Sequence, residues 1–203
     1  MKSVLLMVLI CFSLTLCNLT NRFKKSSDTG SSAGGDITAE KAAPTAAQTA
    51  ALAGGKSVQW DVQGMSWTVP PTWTETEKDL KGFVWRSPGG SDAASLIVNI
   101  SPMGESFPAD VSIKAYYDSQ KDRAKNGEVD EYKWLEIDGV KGVEFREVNP
   151  PRPDDIRRLQ WIAYRKFAGQ LQYVSVMLAS SAKGFQTHQD AMYGVLYSTK
   201  LIH

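Results

Sequence analysis

The chain has 203 residues, 42% of them apolar and 10% aromatic, and its 23 Lys and Arg nearly balance 22 Asp and Glu, for a net charge of +1. From position 57 onward 17 basic residues stand against 19 acidic ones, a balance that carries no electrostatic footprint for nucleic acid. The only two cysteines, Cys11 and Cys17, lie near the N-terminus, so no disulfide staples the remainder, which is long enough to bury a core without one.

Met1 and Lys2 lead an apolar run from Val4 to Leu16. The run is shorter than the roughly 20 residues that a membrane-spanning helix needs, so residues 1–17 read as a secretory signal peptide. Its end, Leu14, Thr15, Leu16, Cys17, resembles the bacterial lipobox, which would make Cys17 the lipidation site. That pattern has Gly, Ala or Ser before the cysteine, where this chain has Leu16. Two other readings stay open: ordinary cleavage after Cys17, with small residues at Thr15 and Cys17, and an uncleaved anchor, favoured by Arg22, Lys24 and Lys25. Each places the rest of the chain outside the cytoplasm or at a membrane face.

Residues 18–56 turn to Ser, Thr, Gly and Ala and read as a disordered linker that cannot bury enough apolar surface to offset its ordering entropy. As a flexible coil it would span roughly 35 Å. Alanine favours helix from Ala42 to Ala53, but Pro44 and the threonines at 38, 45 and 49 weaken it.

Residues 57–203 form the folded domain, rich in strand signals. Val58 to Val62 and Met65 to Val69 flank Gln63 and Gly64; Phe83 to Ser87 and Ala94 to Ser101 flank Pro88, Gly89 and Gly90. Tyr132 to Ile137 and Val140 to Val148 meet at Asp138 and Gly139, and Ile156 to Phe167 and Gln170 to Ala179 at Ala168 and Gly169. Helices are predicted from about Val111 to Lys125, closed by Asn126 and Gly127, and from about Phe185 to Leu196. The expected class is α+β, a single antiparallel sheet packed by helices.

Three stretches carry a family resemblance. They are Trp67, Thr68, Val69, Pro70, Pro71, Thr72, Trp73; then Ile137, Asp138, Gly139, Val140, Lys141, Gly142, Val143, Glu144, Phe145; and the closing order of long hairpin, Phe185 helix and the tail Tyr197, Ser198, Thr199, Lys200, Leu201. Over about residues 58 to 202 the chain resembles the PsbP-like superfamily, which includes extrinsic photosynthetic proteins, a Ran-binding nuclear-transport factor and bacterial lipoproteins. The resemblance implies an α/β/α sandwich; its motifs are structural and name no activity.

Chemistry-bearing patterns are few. The histidines are His188, beside the apolar face of the last helix, and His203; neither has a second His or Cys at ligand spacing, so no metal site is expected. The carboxylate clusters at Glu75 and Glu77, at Glu128, Asp130 and Glu131, and at Asp154 and Asp155 lack the form of a calcium loop. No serine sits in a nucleophile elbow. The expectation is therefore a non-catalytic protein without a cofactor.

The segment Asn149 to Arg158 is the clearest surface candidate, because Pro150, Pro151 and Pro153 stiffen it and would display Arg152, Arg157 and Arg158 with little ordering cost. Those arginines suit a carboxylate or phosphate on a partner, although Asp154 and Asp155 are at hand to neutralise them. Trp73, at a double-proline corner, is a second candidate for partner contact. The resulting picture is an exported, lipid-anchored binding module that contacts an envelope protein or component, with no nucleic-acid partner. The alternatives are a periplasmic or secreted carrier of a small molecule or ion and, below it, a hydrolase.

Overall fold

The computed structural model describes residues 38–202. The expected signal peptide 1–17, the lipid site Cys17, residues 18–37 of the linker and His203 lie outside the described residues.

Eight strands form one sheet. In chain order they are β1 (Glu40–Lys41), β4 (Thr74–Lys78), β5 (Gly82–Arg86), β6 (Ser95–Pro102), β7 (Val129–Ile137), β8 (Val140–Glu147), β9 (Ile156–Phe167) and β10 (Gln170–Ser181). Their spatial order is β1-β7-β8-β9-β10-β6-β5-β4, antiparallel throughout except where β1 runs parallel to β7. A second sheet joins β2 (Lys56–Trp60), β3 (Met65–Val69) and β11 (Lys200–Leu201), in the order β11-β3-β2. The helices are α1 (Ala46–Ala51), α2 (Ala109–Lys125) and α3 (Ala182–Tyr197).

The expected hairpins form where their turns allow. Asp138 and Gly139 both take positive φ, 49° and 83°, as do Ala168 and Gly169, 50° and 81°; such two-residue turns match the twist of the strands they join. Register then sorts the side chains: Leu159, Trp161 and Ala163 on β9 share a face with Leu178, Val176 and Val174 on β10 and with Leu96, Val98 and Ile100 on β6. All nine are buried, and against them pack the small sheet and α3, through Val58, Trp60, Met65, Trp67, Phe185, Met192, Val195 and Leu196. Phe83 stacks between Trp60, at 5.6 Å, and Trp67, at 5.0 Å.

The opposite face receives α2 through aromatic contacts. Tyr117 stacks on Trp134 at 4.9 Å and meets Tyr132 edge-on, Tyr116 meets Phe145, and Ser112 shares a hydrogen bond of 2.8 Å with Tyr164. Asp110 in the first turn of α2 and Arg123 and Lys125 in the last complement the helix dipole. The layers are therefore α2, the large sheet, and α3 with the small sheet, which is the expected α+β arrangement of an antiparallel sheet packed by helices.

Three features depart from the sequence-based expectation. Residues 38–56, expected in the disordered linker, are structured: β1 pairs with Leu135 and Glu136, and Ala42 N donates to Glu136 O at 2.9 Å. Thr45 and Gln48 form a reciprocal capping box that starts α1, and Leu52 packs against the core. Tertiary packing thus supplies the stabilisation that a six-residue helix lacks alone. The strand β4 has no apolar residue and is exposed along its whole length, an edge strand that hydrophobic alternation cannot announce. The small sheet is the third departure.

Candidate functional site

The segment that leaves β8 forms a stiff loop seated on the N-terminus of α3. Pro153 O accepts from Lys183 N at 3.3 Å and Asp155 O from Ala182 N at 2.9 Å, so two amides at the start of α3 are spent on the loop. Ser181 caps the helix by accepting from Gly184 N at 3.0 Å. Between loop and helix lies a cleft of about 310 Å³, bounded by Asn149, Pro150, Pro151, Pro153, Lys183 and Gln186 among others.

The structure separates the three arginines. Arg152 projects from the loop with 79% of its side chain exposed, and its guanidinium grips Asp155 through Nε at 3.0 Å and Nη2 at 2.7 Å. That contact holds the Asp155 carboxyl below its ordinary range and the arginine above its own. Arg158 lies on the α2 side of β9, half-exposed, bound to Glu147 at 3.0 Å.

Arg157, one residue along the strand, turns to the other face and is buried. Its Nη2 meets Asp130 at 2.7 Å, its Nε donates to Glu147 O at 2.8 Å, and its guanidinium lies over the Phe185 ring at 4.5 Å. The expectation that Arg157 is displayed to a partner is thereby corrected: strand alternation puts it into the core. Trp73 is corrected likewise. Its amide closes a turn on Pro70 O at 3.1 Å, and the ring is buried, 2% exposed, within the main core. It has no surface to offer.

A residue that the sequence does not single out joins the rim. Lys183 Nζ binds Asp92 Oδ2 at 2.8 Å, and Ser181 Oγ binds Asp92 Oδ1 at 2.8 Å, which together depress the Asp92 carboxyl. The 88–93 turn is thus tied to the same end of α3. Its long-range contacts to the helix leave no sequence signal.

A second cleft, about 380 Å³, opens between the Asp61–Gln63 turn and the β4–β5 turn, with Trp60 below and Val62 and Leu80, 57% and 70% exposed, beside it. Trp60 Nε1 donates to Asp79 O at 2.7 Å and Gln63 Nε2 to Leu80 O at 2.8 Å, which fix the two turns against each other. His188 is half-buried on α3, and among the described residues no group of three His, Cys, Asp or Glu is placed to hold a metal ion.

No protein-family model and no curated protein matches the chain. Among solved structures it is similar to LpqN of Mycobacterium tuberculosis, at 10% identity over 73% of this chain and 91% of that one, with a TM-score of 0.53. It also aligns with the cyanobacterial PsbP of Synechocystis sp. PCC 6803, at 13% identity over 73% and 92% of the chains and a TM-score of 0.49. The Ran-binding protein Mog1p of Saccharomyces cerevisiae aligns at 12% identity over 72% and 95%, with a TM-score of 0.41. The likeness to LpqN shows a common fold, the layered α+β arrangement described above.

Proposed function

We propose that this protein is a non-catalytic binding module, exported and held at the cell envelope by lipid on Cys17, that captures a protein partner at the 149–155 loop. The observation that carries the reading is the rigid proline loop, which exposes Arg152 and, through Pro150, Pro151 and Pro153, forms one wall of a cleft that Lys183 borders. The loop is already ordered by α3, so a partner meets a preorganised surface and little further ordering is needed. A carboxylate-bearing partner segment suits the site, because it can compete with Asp155 for Arg152 and with Asp92 for Lys183. LpqN, of like fold, is involved in cell envelope biogenesis, which agrees with the envelope placement.

The test is a photo-crosslinking amino acid placed at position 149, on the wall of the cleft with Arg152 kept, or, as a control, at position 80 in the full chain expressed in its native host. Adducts confined to position 149 and lost with Arg152→Glu or Lys183→Glu support the reading; equal yields at both positions, or none at 149, overturn it. Intact mass of the membrane-bound protein tests the anchor separately, with acyl mass on an N-terminal Cys17 as the expected result. The apolar cleft beside Val62 and Leu80 favours a second reading, carriage of a small apolar molecule, for which thermal stabilisation by a ligand panel is the check.

A further inference from the structure

Glu144, on β8, is a buried carboxylate, with 1% of its side chain exposed, and its Oε2 has no hydrogen-bond partner among the described residues. Ionising such a group costs free energy unless charge or hydrogen bonds compensate it. The titratable groups around it come from four elements. From β7, Lys133 Nζ lies 3.6 Å from its Oε1, with Glu131 Oε1 3.7 Å from the same ammonium. From α3, Tyr197 OH donates to Oε1 at 3.4 Å, and Tyr193 OH donates to Glu131 Oε2 at 3.1 Å.

From β1, Glu40 Oε2 reaches Lys133 Nζ at 3.3 Å. On β8 itself, Arg146 is committed to Asp130 at 2.8 Å and Glu131 at 3.1 Å. Opposite Glu144 on β9 stands Trp161, which does not titrate. One lysine is thus shared among a buried carboxylate, a carboxylate of the sheet, and Glu40, which belongs to the strap of residues 38–55 made up of β1, α1 and their connections. The strap's other ties are the short β1 ladder, Ala42 and Leu52 against the core, and the packing of α1 on α3 around Gly194.

We propose that the proton on Glu144 is a latch for this strap: with Glu144 neutral, Lys133 holds Glu40 and the strap stays down; with Glu144 ionised, the strap is loosened. When Glu144 loses its proton, Lys133 must compensate a charge that has no water around it, and a further negative charge then faces Glu40 and Glu131. Burial, opposed by Lys133, pushes the Glu144 carboxyl up to about 7, so the change falls in a range the protein meets near neutrality. Burial also works against charge on Lys133, yet its carboxylates, Glu144 first, keep it above the ordinary lysine range, so it stays cationic throughout.

Linkage makes the coupling reciprocal: what ionised Glu144 takes from strap docking, an open strap returns as a lower Glu144 pKa. Release would free residues 38–55 from the surface of the domain. This device does not depend on where the partner binds.

The experiment tracks amide hydrogen exchange of residues 46–52 in the full chain at pH 5.5 and 8.5, corrected for the intrinsic pH dependence of exchange. Opening is expected to rise at least threefold at the higher pH in the wild type and to stay level in Glu144→Gln. A level wild type, or an equal rise in Glu144→Gln, overturns the latch. The reciprocal arm uses Gly194→Ala, whose new β-carbon would lie 2.8 Å from Gln48 O and 3.0 Å from Leu52 Cγ, so that it pushes on α1 from outside the charge cluster. The Glu144 carboxyl, observed by NMR in that variant, is expected to titrate at lower pH than in the wild type. An unchanged midpoint alongside faster α1 exchange overturns the proposal, even if Glu144→Gln does not fold.

Discussion

Gly142 leaves space for β9: a β-carbon at position 142 would run into the Ile162 carbonyl and would sit 2.6 Å from Trp161 Nε1 and 2.7 Å from its Cε2. The indole passes over β8 to donate to Leu135 O on β7 at 3.1 Å, so one side chain fastens three neighbouring strands. The second of the two spaced glycines in the family-like hairpin is therefore a packing requirement. Gly142→Ala should press β8 away from the Ile162 carbonyl, force the indole aside, break that bond and cost about 3 kcal/mol. Urea unfolding monitored by tryptophan emission measures it; a change below about 0.5 kcal/mol would show that both the β9 backbone and the indole have room to move.

Glu144 gives stability a pH slope of defined sign. Its pKa rises from an ordinary 4.5 to about 7 in the folded protein, so between these values the unfolded chain ionises and the folded one does not. The resulting contribution is full below 4.5 and is lost as pH climbs to about 7. Glu144→Gln removes that loss and should be more stable than the wild type at about pH 8, by on the order of 2 kcal/mol, with little advantage at about pH 4.5. Parallel melts of both proteins across this range would decide, and curves that stay parallel would refute the assignment.

How much of the molecule is legible from sequence varies with the kind of signal. Paired strands with turn residues between them, such as Val140 to Val148 after Asp138 and Gly139, announce themselves because period-two burial and turn chemistry are both local. β4 is silent, since Thr74 to Lys78 buries nothing. The strap escapes notice because its composition is that of a linker, although Thr45 and Gln48 stand at capping-box spacing. Candidate residues obey the same logic: Arg152 is readable from its loop, but the fate of Arg157 against Arg158 hangs on strand register.

That register yields a paired prediction. Arg157→Ala should leave the buried side of Asp130 with Arg146 alone and strip Glu147 O of its donor, at a cost of about 3 kcal/mol. Arg152→Ala removes an exposed ion pair and should leave the melting temperature where it is. Thermal denaturation of the two variants side by side tests the contrast, and a destabilised Arg152→Ala would mean that the loop braces α3.

Trp73 offers the last discrimination, between a contact residue and a core residue. Its ring is almost fully buried and belongs to the cluster that holds the small sheet against the large one, while its amide closes the Pro70 turn. Trp73→Ala should therefore open a cavity and cost about 4 kcal/mol. Trp73→Phe should recover part of that loss, because it refills much of the volume without a polar atom. If the proposed partner is captured through the 149–155 loop, crosslinking at position 149 in Trp73→Phe should match the unsubstituted Trp73 background at a temperature where both are folded. Loss of the adduct in a folded Trp73→Phe would instead place the β3–β4 corner in the partner's footprint and move the binding surface away from Arg152.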